Sequence, residues 1–144
     1  MTGPSAALRR EFDGDLVTLH AARHDVIDWL SNLRADEETK DRAALIVSEL
    51  CSNAIQNSPG SAYSLEIVRL DDDTAAISVR NRPTDKLPPP REQWRPAADL
   101  TLKELSVRGR GLAIVDSLSE ELTIEHLGDD LLVTARLHID YDTR

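Results

Sequence analysis

The chain has 144 residues, enough for one domain with a usable core at roughly 100 to 200 residues per domain. Hydrophobic residues make up 40% and charged residues 30%, too apolar for a disordered chain, and the formal charge of -9 opposes direct binding to nucleic acid or to an anionic membrane. No run approaches the roughly 18 apolar residues of a membrane span, and MTGPSAALRREF lacks the basic start and apolar stretch of a signal peptide, so the cytoplasm is the expected compartment.

Residues 8–18 (LRREFDGDLVT) form a candidate first strand. From Leu19 to Leu33, Ala22, Val26, Leu30 and Leu33 recur at helical spacing with Trp29 beside them, which predicts an amphipathic helix. Asp36 followed by Glu37 and Glu38 is a helix start, a capping side chain and then acids favoured by the helix dipole, and the second helix runs to about Asn57 before Pro59 and Gly60. The single cysteine, Cys51, lies in this helix; it excludes an internal disulfide and a cysteine-based metal cluster and is expected to pack in the core. Leu65–Leu70 and Ala75–Asn81 alternate around Asp71, Asp72 and Asp73 as a hairpin with Ala75, Ile77, Val79 and Asn81 on one face. Residues 82–108 hold five of the seven prolines and form a long, lid-like connection, with a short helix predicted around Asp99–Leu105. RGRGLAIVDSLSEEL then opens a helix on two glycines, and LTIEHLGDDLLVTARLHID reads as two strands around Gly128 and Asp129. This order predicts an α+β, two-layer arrangement over residues 1–144, a mostly antiparallel sheet with helices on one face.

Three places carry chemistry. Glu49, Asn53 and Asn57 fall at i, i+4 and i+8 of the second helix, one polar stripe that is either the helix's solvated face or, in the apolar setting of ALIV, LC and AI with Leu45 one turn earlier, a partly buried acid beside an oxygen ligand for Mg2+. Gly109-Arg110-Gly111 stands where a helix begins; glycines there either end a loop or admit a phosphate to free N–H groups, and Arg108 and Arg110 either stay solvated or add charge to such a site. Asn81 is in phase with the core face of its strand and directly precedes the long connection. A polar helix face, a polar strand end, a lid and a glycine-opened helix, in that order, suit a nucleotide pocket.

On these features the chain resembles the GHKL (Bergerat-fold) ATPases and, within them, the small anti-sigma factor serine kinases of the RsbW and SpoIIAB kind, over roughly residues 8–139. SELCSNAIQNS is similar to the family's N-box and RGRGLAIVDSL to its second glycine box. The resemblance implies that Glu49 activates water or a substrate hydroxyl, that Asn53 holds Mg2+ bridging the phosphates, and that Asn57 lies near the nucleotide. It also implies that Arg108, Gly109, Arg110, Gly111 and Leu112 line the phosphates. At the first glycine box the chain departs from the family: the stretch reads VRNRPTD, with Asn81 where an Asp binds adenine and without a glycine. As a whole the resemblance implies an ATP- and Mg2+-dependent protein-serine kinase that phosphorylates an anti-sigma antagonist of the STAS type, sequesters a sigma factor and forms a homodimer. The departure at Asn81 leaves open a partner-binding regulator without turnover. His20 and His24 on the first helix lack a phosphoacceptor pattern.

Overall fold

The computed structural model describes residues 7–83 and 111–142. In chain order these contain β1 (Ala7–Phe12), α1 (Thr18–Asn32), α2 (Glu37–Asn57), β2 (Tyr63–Asp71), β3 (Thr74–Asn81), α3 (Gly111–Leu118), β4 (Glu121–Leu127) and β5 (Asp130–His138). The strands form one sheet in the order β1-β2-β3-β5-β4, with every neighbouring pair antiparallel. This is the expected α+β arrangement. The connection beyond Pro83 and the short helix expected near Asp99–Leu105 lie outside the described residues.

Local chemistry sets the element ends. Asp36 caps α2 by accepting a hydrogen bond from the Thr39 N–H at 2.9 Å. Helix α1 stops in a Schellman arrangement: the Ala35 N–H donates to Leu30 O at 3.0 Å and the Arg34 N–H to Ser31 O at 2.9 Å, which puts Arg34 at φ 68° in left-handed space. The β4–β5 hairpin turns through Gly128 at φ 65°, a conformation open to glycine without a Cβ penalty. The first strand is shorter than residues 8–18. It ends at Phe12 because Asp13 to Asp15 turn, and Gly14 packs so closely on the Ser61 backbone that a Cβ would lie 2.9 Å from Ser61 N and overlap Ser61 O.

Alternation decides which sheet face is covered. Tyr63, Leu65 and Ile67, then Ala75, Ile77 and Val79, then Leu131, Val133, Ala135 and Leu137 are all buried and share a core with Ala22, Val26 and Leu30 of α1, Ile46, Val47 and Leu50 of α2, and Leu112 and Val115 of α3. The core includes Cys51, whose thiol burial pushes up to about 12, so it is a packing residue as its apolar setting predicts. The intervening strand residues, among them Ser64, Glu66, Ser78, Arg80 and Thr134, form the sheet's other, open face.

Candidate functional site

The polar stripe of α2 is not a solvated face. Successive i+4 steps on a helix of 3.6 residues per turn advance about 40° around the axis, so a stripe that begins at the surface winds inward. Leu45 is 43% exposed, Glu49 and Asn53 are half-buried, and Asn57 is 4% exposed. Leu45 therefore does not bury the stripe, contrary to the sequence expectation; the winding of the helix and the approach of α3 do.

Helix α3 meets that stripe at its first residue. Leu112 and Val115 are buried in the core and hold α3 against α2, which brings Gly111 onto the Glu49 side chain. A Cβ at Gly111 would overlap Glu49 Oε2 and stand 3.1 Å from Cδ and 3.5 Å from Cβ of the same side chain. The need for glycine here is one of space and not of backbone conformation, which is not left-handed: a larger residue would have to displace the Glu49 carboxylate. Burial raises the Glu49 pKa above the ordinary carboxylate value, and no cation pairs with Glu49 among the described residues to offset that cost. A desolvated acid at the mouth of a glycine-opened helix, with no cation beside it among the described residues, suits the work of a general base.

Asn81 is tied to the C-terminal end of α2, past the last residue of the polar stripe. It is 4% exposed at the end of β3, and its Nδ2 donates to Ser58 Oγ at 3.1 Å, while Ser58 Oγ donates to Ala54 O at 3.1 Å. The serine proton is committed to the helix carbonyl, so the serine oxygen accepts from Asn81. That relay fixes the amide's orientation and leaves Oδ1 as the acceptor Asn81 can offer. Ser58 is fully buried and no sequence motif singles it out; the available signal was its place four residues after Ala54 at the end of the polar stripe.

Other expected site residues divide by location. The Leu112 side chain belongs to the core, so only its backbone is available to a ligand. Arg108, Gly109 and Arg110 lie outside the described residues. His20 and His24 are exposed on α1. Among the described residues no three His, Cys, Asp or Glu side chains gather as a metal cage. The half-buried Asn53 amide, one turn from Glu49, suits instead a Mg2+ ion that keeps most of its ligands from water and phosphate oxygens.

The α+β sheet with its helices on one face sets the class, and the chain belongs to the histidine kinase-like ATPase domain family, which it matches over residues 12–137. Among solved structures it is similar to the RsbU and RsbW domains of Rv1364c from Mycobacterium tuberculosis, with a TM-score of 0.69 and 16% identity, over 96% of this chain and 33% of that one. The likeness is one of fold, and this chain spans about a third of that structure's length. No curated protein sequence matches it.

Proposed function

We propose that this protein is an ATP-dependent protein-serine kinase of the anti-sigma factor class, which phosphorylates a serine of a STAS-type antagonist and sequesters a sigma factor in the cytoplasm. One observation carries the proposal: Glu49, desolvated, paired with no cation among the described residues, and packed on Gly111 where α3 begins. ATP with Mg2+, when bound, supplies the phosphoryl group and the cation that draws charge from it. Glu49 takes the proton of the attacking serine hydroxyl, and its raised pKa makes it a better acceptor near neutrality than an exposed glutamate. Asn53 would hold the metal through its amide oxygen, and the backbone N–H groups of Gly109, Gly111 and Leu112, with Arg108 and Arg110, would hold the phosphates. Asn81 accepts from the adenine amino group through Oδ1, and Asn57 lies beside the nucleotide. The anti-sigma class is supported by the likeness of fold to a structure that includes an RsbW domain.

A second reading, a partner-binding regulator without turnover, is favoured by Asn81 itself, an amide in the family's Asp position that is hydrogen-bonded to Ser58. Calorimetry with ATP, with and without Mg2+, on the wild type, Asn53→Ala and Glu49→Ala separates the two. The kinase reading expects Mg2+-dependent binding that Asn53→Ala weakens and Glu49→Ala preserves, while Glu49→Ala slows antagonist phosphorylation by at least about 100-fold. A wild type that blocks a sigma factor but transfers no phosphoryl group to an antagonist leaves the regulator reading standing.

A further inference from the structure

The open face of the sheet carries a cavity of about 360 Å3 at the end where β1, β2, β3 and β5 meet. Its polar lining includes Arg9 and Glu11 of β1, Ser64 of β2, Arg80, Arg82 just after β3, and Asp130 of β5. Strand register explains the gathering: Glu11 lies opposite Ser64 and Ser64 opposite Arg80, all in the phase that faces away from the helices.

Asp130 organises this face. Its Oδ2 accepts from Arg80 Nε at 2.8 Å and its Oδ1 from Arg82 Nε at 3.0 Å. Both guanidinium planes are thus anchored through Nε, and their terminal nitrogens hydrogen-bond to no other described residue. Asp130 is mostly covered, at 20% side-chain exposure, whereas Arg80 and Arg82 are open at 45% and 69%. One partly buried carboxylate holding two exposed forks is a preorganised donor set for an oxyanion. The lining as a whole has four arginines against two carboxylates; Asp25 holds Arg10 at 3.6 Å, which lowers the local excess from two positive charges to one. In a chain of net charge -9 the overall field does not draw anions here, so local donors decide.

We propose that this cavity is a phosphate-binding site, separate from the region of Glu49 and Gly111, in which Arg80 and Arg82 grip a phosphate group between their terminal nitrogens and Arg9 adds a third cation. A tetrahedral phosphate has more acceptor oxygens than a carboxylate and is the better match for two forks on each of which the described residues leave four N–H donors. Glu11, on the same face, opposes the anion.

The test is a titration of the full chain with sodium phosphate at constant ionic strength, compensated with NaCl, following the Nε–Hε resonances of Arg80 and Arg82 by NMR. Saturable shifts are expected. Arg80→Gln and Arg82→Gln should each weaken binding about tenfold, the low end for hydrogen bonds to a charged group. Arg82→Lys should weaken it nearly as much because the fork is lost, and Glu11→Gln should tighten it. Asn53→Ala, which tests the nucleotide reading, should leave phosphate binding unchanged, so the two proposals fail independently. Arg82 lies outside the strands, so Arg82→Gln keeps the test sound if Arg80→Gln disturbs folding. Shifts that do not saturate, that NaCl alone reproduces, or that saturate at the same phosphate concentration in Arg82→Gln as in the wild type overturn the proposal. So does a hexaglutamate peptide that saturates these resonances where phosphate does not, which would make the face an acidic-peptide site.

Discussion

Gly111→Ala asks whether α3 and Glu49 work as one unit. The new Cβ would overlap Glu49 Oε2 and stand 3.1 Å from its Cδ, so the carboxylate must move. Two stability effects oppose each other. Alanine gains up to about 1 kcal/mol over glycine inside a helix, less at its first residue, while forcing the Glu49 side chain off its rotamer costs about 0.5–1.5 kcal/mol. The displaced atoms are the free end of a flexible, half-buried side chain, so the change should stay within about 1 kcal/mol, or about 2–4 °C in Tm. Function answers to a steeper scale, because a general base contributes about 10²–10⁴ in rate and a displacement near 1 Å can cost about 100-fold. Thermal denaturation should place Gly111→Ala within a few degrees of the wild type. Single-turnover phosphoryl transfer to the antagonist should fall at least about 100-fold with ATP affinity kept. Adding Gly111→Ala to Glu49→Ala should cost little more than Glu49→Ala alone, since both remove the same positioned carboxylate. A loss of several kcal/mol in stability, or an unchanged transfer rate, would refute the idea that this contact places the base.

Glu49 also makes a pH prediction. Burial raises its folded pKa, so its contribution to stability is full below the ordinary carboxylate pKa and is lost as pH rises through the raised value. Glu49→Gln should accordingly gain on the wild type in denaturant midpoint as pH rises from the carboxylate range to neutrality, and a gap that stays constant with pH would contradict the assignment. Ser58→Ala removes the acceptor of the buried Asn81 amide and should cost about 1–3 kcal/mol in thermal denaturation. The same variant should blur the preference for ATP over GTP in competition binding, because the Asn81 amide is then free to turn over. Arg34→Gly should stabilise the chain by about 0.5–1 kcal/mol, the left-handed penalty at φ 68° less the extra entropy glycine loses on folding. A drop in Tm would mean that the contacts of the Arg34 side chain outweigh its backbone strain.

The amino-acid sequence by itself determined much of what depends on near neighbours, though not the Asp13–Asp15 turn that ends β1. Asp36 caps α2 because a carboxylate three residues before a free N–H can reach it whatever the rest of the chain does. Asn81 faces the core side because strand alternation carries it there in phase with Ile77 and Val79. Glycine at residue 128 announces its hairpin in the same local way.

Tertiary structure alone decided which of these faces meet. The placement of β3 beside β5, the contact of Gly111 with Glu49, and the relay from Asn81 through Ser58 to Ala54 each join residues far apart in the chain. The same is true of the Arg80–Asp130–Arg82 clamp, which no spacing motif marks. The stripe at Leu45, Glu49, Asn53 and Asn57 shows the division most clearly. Its spacing is a property of the helix, but whether a given residue on it is wet, half-buried or buried depends on how the helix is rotated against the sheet and on where α3 lands. A repeat of 3.6 residues gives angles about an axis, and only the packing of one element on another turns those angles into burial and a shifted pKa.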